Sequence, residues 1–176
     1  MDDGPVTVVE YDPKWPRQFE SERALLQSVL APWLEGGIHH VGATSVPGLA
    51  AKPIIDMIAG VRDLSEARAA FRVLSQHSYI HAPHRAGIAH HFSKPSIRLS
   101  EMTHGLHLTE PGSDLWRERL AFRNALRCDP TLVTDYATLK VRLARQHADD
   151  LAAYTAGKRA FVARVLARSG ITPGRR

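Results

Sequence analysis

The sequence predicts an α+β domain, with a mixed β/α part to about residue 112 and a helical part over about 113–170 that ends in a basic tail at 171–176. Two observations predict it. Short apolar or β-branched runs bounded by turn residues recur through the first part, and helical periodicity fills the second. A third observation makes it one domain: no repeat, linker or low-complexity stretch divides the 176 residues.

The elements follow in order. Val6–Tyr11 reads as a strand closed by Asp12-Pro13, and Pro16 stands where a first-turn proline belongs. From Arg17 to Leu34, Phe19, Leu26, Leu30 and Trp33 recur at the spacing of one helix face, until Pro32 and Gly36-Gly37 stop it. Ile38–Gly42 is a short strand. Pro53–Val61 is a near-continuous apolar run, typical of a strand covered on both faces. Asp63 with Glu66 forms a capping box for a helix through Gln76, buried through Ala67, Ala70, Phe71 and Leu74. Short strands follow at Tyr79–His81, Ile88–Phe92, Ile97–Leu99 and His104–Thr109. Ser113 caps a helix to about Arg127, and Pro130 starts a helical stretch to Ser169, broken near Gly157. Trp15, Trp33 and Trp116 read as core anchors.

Composition narrows the function. A chain that is 44% hydrophobic and 23% charged is ordinary globular material. The lone Cys128 cannot form an internal bridge, the acidic start lacks a signal peptide's apolar stretch, and no apolar run approaches a membrane span. A cytoplasmic address and no membrane partner are therefore expected. The net charge of +5 is local: Lys158, Arg159, Arg164, Arg168, Arg175 and Arg176 carry six positive charges with no acid among them, and the rest sums to −1. Cations late in a terminal helix favour its dipole, so nucleic acid is not read as the main partner.

Asp56 is the most informative residue. It interrupts Ile54-Ile55-Asp56-Met57-Ile58, where an ionised carboxylate costs several kcal/mol unless it is paired, hydrogen-bonded or on a metal. A structural ion pair to Lys52 or Arg98 is one reading, and a functional group the other. Upstream, Gly42-Ala43-Thr44-Ser45-Val46-Pro47-Gly48-Leu49 is a glycine-and-hydroxyl turn of the kind whose N–H groups hold phosphate. Thr44 and Ser45 would add hydroxyl donors, and Lys52 a point charge. Without a Gly-Lys-Ser/Thr ending it is no P-loop. Seven of the ten histidines (His77, His81, His84, His90, His91, His104 and His107) fall in a region of strands and loops without cysteine ligands, a poor setting for zinc.

The run His40-Val41-Gly42-Ala43-Thr44-Ser45-Val46-Pro47-Gly48-Leu49-Ala50-Ala51-Lys52-Pro53-Ile54-Ile55-Asp56 resembles the hallmark of the GrpB family. The likeness continues in Tyr11–Trp15, Thr103–Leu108, Gly112-Ser113, Leu120–Arg123 and Tyr136–Lys140, covering about residues 6–168. It implies a nucleotidyltransferase-like fold: a small mixed β-sheet flanked by helices, with a helical C-terminal segment. In that superfamily paired carboxylates hold two divalent ions at the transferred phosphate. Carried over, Gly42 falls on the motif glycine, Ala43 on its serine and Asp56 on the first carboxylate, while Ile58 replaces the second.

The resemblance also points to a His-x-His pair, of which Gly105 takes the earlier slot and His107 survives. The expected activity is transfer of a nucleotidyl group from a Mg2+-bound nucleoside triphosphate to a hydroxyl of a small molecule, an aminoglycoside-type antibiotic being one concrete acceptor. In this scheme Asp56 and His107 are the catalytic and metal-binding residues. Gly42, Thr44, Ser45, Lys52 and Arg98 hold the triphosphate. Arg123, Tyr136 and Lys140 line the cleft over base or acceptor, and Glu101, Glu110 or Asp114 meets a cationic acceptor. The alternative is a catalytically silent nucleotide- or coenzyme-binding module, favoured by Ala43 and Ile58.

Overall fold

In the computed structural model, which describes residues 5–83 and 87–172, one five-stranded sheet carries the first part and four helices the second. The strands are β1 (Leu34–Val41), β2 (Ile55–Val61), β3 (Ile80–His81), β4 (His90–Lys94) and β5 (His104–Thr109), in the spatial order β1-β2-β5-β4-β3. The β2–β5 pair is parallel and the other three pairs are antiparallel. Helices α1 (Trp15–Val29) and α2 (Ala70–Gln76) belong to this part. The second part comprises α3 (Asp114–Cys128), α4 (Pro130–Gln146), α5 (Leu151–Gly157) and α6 (Arg159–Arg168).

Strand alternation sorts β2. Ile55, Met57 and Ala59 join Leu26, Leu74, Phe92 and Leu106 in the main core, while Ile58 packs with Val41 and Leu115 in a separate cluster. Asp56 shares the face of Ile58, turned toward the helical part. Ser113 caps α3 through the Trp116 N–H, and Asp129 and Asp150 cap α4 and α5, so polar side chains set three of the four C-terminal helix starts.

Several expected boundaries shift. Val6–Tyr11 makes only a bridge, Val9 exchanging both backbone bonds with Ala51 at 2.9 Å. The segment instead ties the two parts together, because the Val6 N–H donates to the Ala148 carbonyl at 2.8 Å and its side chain packs on Leu143 and Tyr154. Gly36 and Gly37, expected to precede β1, lie inside it at positive φ, where the pairing with β2 shifts register. Of the capping box, the Asp63 half forms: its Oδ1 accepts from Glu66 N, ahead of a 3-10 turn over Glu66–Ala69. Strand β4 starts later than expected because Phe92, opposite Leu106, faces the core while Ile88 is exposed. Ile97–Leu99 is loop, not strand. The last helical stretch breaks twice, at 147–150 and again at Gly157-Lys158, where a side chain on Gly157 would collide with Leu143. Met1–Gly4, His84, Arg175 and Arg176 lie outside the described residues.

Candidate functional site

Asp56 sits in a row across the sheet, opposite Val41 on β1 and Gly105 on β5. Two glycines make its space. A Cβ on Gly42 would stand 2.7 Å from Oδ2, and one on Gly105 would stand 2.8 Å from Oδ1. Gly42 also has φ 71°, a backbone that side chains resist. Half-buried here, the Asp56 carboxyl is pushed above its usual pKa by desolvation, against the pull of Arg119, Lys52 and Lys158. Among the described residues no ion pair joins Asp56 to Lys52 or Arg98, so the structural pairing considered from sequence does not form.

The turn after Gly42 is braced from behind. Thr44 Oγ1 donates to the Ile54 carbonyl at 2.9 Å and meets His40 Nε2 at 2.9 Å, and Ser45 Oγ donates to the Gly42 carbonyl at 2.6 Å. Both hydroxyls are buried, so they hold the turn's shape and are not the phosphate donors expected of them. Arg127 donates twice to the Ser45 carbonyl, at 2.9 and 2.7 Å, and Arg123 donates to the His40 carbonyl at 3.0 Å. Arg123 therefore clamps the edge of β1 and lines a different groove, with Tyr11, Arg23 and His39, rather than the cleft beside Asp56.

That cleft, of about 130 Å³, is lined by Gly42, Ala43, Glu118, Arg119, Phe122, Tyr136 and Lys158, among others. At this wall three lysines converge on two tyrosines. Lys140 lies 4.8 Å from the Tyr136 ring centre, and Lys158 and Lys52 lie 4.2 and 5.7 Å from that of Tyr154. Lys140 Nζ also donates to the Ala50 carbonyl. Burial, with Lys158 and Lys52 nearby, pulls the Lys140 ammonium down to about 7. Burial likewise lowers Lys52, partly offset by Asp56, and pushes the Tyr154 hydroxyl up to about 12. Tyr136 thus lines the cleft and Lys140 stands against its ring outside the lining, both almost fully buried.

His107 lies opposite Ile58, on the Asp56 face of the sheet, and His104 turns to the other face, as alternation predicts. There His104 approaches Glu22, whose Oε1 accepts from Tyr79 and Lys94. Across the β4–β5 pair, His91 stacks on His107 at 4.5 Å. A Cβ on Gly105 would lie 3.8 Å from His91 Nε2 as well as against Asp56, so carboxylate and imidazole share the space above that glycine.

Other expectations fail. Arg98 lies on an exposed loop, 3.7 Å from Glu101. Glu110 accepts from the Leu64 N–H and Asp114 pairs with Arg117, and the acid lining the cleft is Glu118. Arg119, Lys158 and His91 are site residues that sequence reasoning left out. A cage for two divalent ions does not fit: Asp56 is the lone carboxylate on its face of β2. Among the described residues no group of three or more His, Cys, Asp or Glu is placed to hold a metal. One carboxylate suits a single cation that brings its own phosphate and water oxygens.

Comparison with known proteins agrees with the resemblance. The family model described as "GrpB protein" matches residues 5–168. The glutamate-rich protein GrpB of Alkalihalophilus pseudofirmus is 32% identical over 93% of this chain and 95% of its own. UPF0157 protein YqkA of Bacillus subtilis is 36% identical over 87% of this chain, which spans 44% of YqkA's length. The crystal structure of GrpB from Enterococcus faecalis superposes with a TM-score of 0.84 at 32% identity, covering 93% of this chain and 96% of that one. A chain of the GLD-2/RNP-8 complex shares the fold at 13% identity and a TM-score of 0.58, over 94% of this chain and 55% of its own. The α+β architecture is nucleotidyltransferase-like, as expected. With its hallmark turn, its half-buried strand aspartate and a family match across nearly its whole length, this chain belongs to the GrpB family.

Proposed function

We propose that this protein binds a magnesium–nucleoside triphosphate in the cleft beside Asp56 and transfers its nucleotidyl group to a hydroxyl of a small molecule. The observation that carries the reading is the Asp56 carboxylate, seated between Gly42 and Gly105 and facing the cations Arg119, Lys52 and Lys158. A carboxylate kept partly desolvated, with its pKa raised, is suited to take a cation that arrives with the ligand. Magnesium arriving on the triphosphate supplies charge neutralisation at the phosphates. Arg119, Lys158 and Lys52 then offset the remaining negative charge. The acceptor oxygen attacks the α-phosphorus, the bond to the β-phosphate oxygen breaks, pyrophosphate leaves, and His107, stacked on His91, takes the acceptor proton. An aminoglycoside-type acceptor would set an ammonium against Glu118, the acid in the cleft wall.

A second reading, a catalytically silent nucleotide- or coenzyme-binding module, is favoured by Ile58 at the second carboxylate position and by the missing hydroxyl at Ala43. Pyrophosphate release, measured with each triphosphate against a panel of aminoglycosides and other hydroxyl acceptors, separates the two. Release that disappears in Asp56→Asn supports the enzyme. Triphosphate binding with no release on any acceptor assigns the silent module, and no binding overturns both.

A further inference from the structure

The cleft's aromatic wall is already filled. Tyr136 is only 7% exposed; Phe161 stacks on it at 4.9 Å with 17° between the rings, and the Lys140 ammonium stands 4.8 Å from its centre. It has no face left for a base, which corrects the expectation that it lies over one. Phe122 is half-buried and spends contact on the same cluster, meeting Tyr136 at 5.3 Å and Phe161 at 6.4 Å, both near perpendicular.

Size points the same way. About 130 Å³ is well below the roughly 300–1,000 Å³ of pockets that enclose a drug-sized ligand. Charge does too. Arg119, Lys158 and Arg159 line the cleft and Lys52 and Lys140 stand behind it, five basic side chains against the carboxylates of Asp56 and Glu118. A short chain of phosphates matches that size and that charge; a nucleoside matches neither.

We infer that the cleft recognises the oligophosphate part of its ligand and leaves the nucleoside base unread, with inorganic tripolyphosphate as the minimal ligand. This rests on the proposed nucleotide site and specifies what that site reads. Isothermal titration of the full chain, with magnesium present, compares tripolyphosphate with ATP, GTP, CTP and UTP. All five dissociation constants are expected to agree within about fivefold, and Lys158→Ala is expected to weaken all five by a common factor of about ten. The inference is overturned by any triphosphate binding more than about fivefold tighter than tripolyphosphate, or by a Lys158→Ala loss confined to one base. Either result leaves the nucleotide site standing. No binding by any of the five overturns that site as well.

Discussion

The Asp56 carboxylate occupies the space that a side chain on Gly42 would fill, its Oδ2 lying 2.7 Å from where that Cβ would be. The turn and the strand therefore fit together at one carbon's width. Gly42→Ala is expected to cost about 1–3 kcal/mol, through its φ of 71° and this collision together. In an Asp56→Ala background the clash with the carboxylate is removed, leaving the backbone strain and a tight 3.0 Å approach to the residue-56 Cβ. A denaturant double-mutant cycle should give a coupling of about 1 kcal/mol, and strict additivity would contradict the contact.

Removing the charge at Asp56 should stabilise the fold. Desolvation raises its carboxyl pKa, so the native state holds a proton that the unfolded chain has already released, and this contribution to stability falls as pH rises above the ordinary value of 3.8. Asp56→Asn should gain about 1 kcal/mol at neutral pH and nothing at pH 3, read as Tm against pH. A loss of stability at neutral pH would show that the carboxylate anchors architecture.

Lys140 should take up a proton when an anion binds. Burial pulls its pKa down to about 7, so near pH 8 it is largely neutral in the free protein. A polyphosphate beside Lys158 and Lys52 would restore the charge. Titrations near pH 8 in buffers of different ionisation enthalpy are expected to show net uptake of about half a proton or more, abolished by Lys140→Met. Buffer-independent heats would contradict this.

On the opposite face of the sheet, Glu22 should stabilise the α1–sheet packing. Burial works to raise its pKa, but the hydrogen bonds from Lys94 at 2.6 Å and Tyr79 at 2.8 Å outweigh that and hold it below 4.5. Its contribution is therefore full above pH 4.5 and is lost as pH falls through the depressed value. Glu22→Gln is expected to cost about 1–2 kcal/mol at pH 7 and much less at pH 3, by urea unfolding.

The sequence points to Asp56 at the candidate site more clearly than to the residues the fold brings around it. Asp56 stood out because a charge in an apolar strand is costly wherever it lies, and alternation alone fixed its face. Thr44 and Ser45 look available to phosphate in sequence because a hydroxyl's partner is not written beside it: Thr44 donates to the distant Ile54 carbonyl, and Ser45 folds back on Gly42 three residues earlier in the same turn. Arg119 and Lys158 were passed over because charges on a helix look solvated until its orientation is known. Their signals were faint: Arg119 precedes Arg123 by one helical turn, and Lys158 follows the Gly157 break. The His90-His91 doublet had to turn one ring to each face of the sheet, which could have found His91. Arg98 followed a strand that never forms, because Pro95 and Ser96 carry the chain out of β4 and back only at Thr103.

The most direct measurement is the affinity of wild type and Asp56→Asn for ATP, with magnesium and with magnesium chelated. If the carboxylate receives the cation, the variant should bind Mg-ATP about tenfold or more weakly, and metal-free ATP as well as or better than wild type, having lost a negative charge amid Arg119, Lys52 and Lys158. Equal affinities in both conditions, or equal losses in both, would contradict that role.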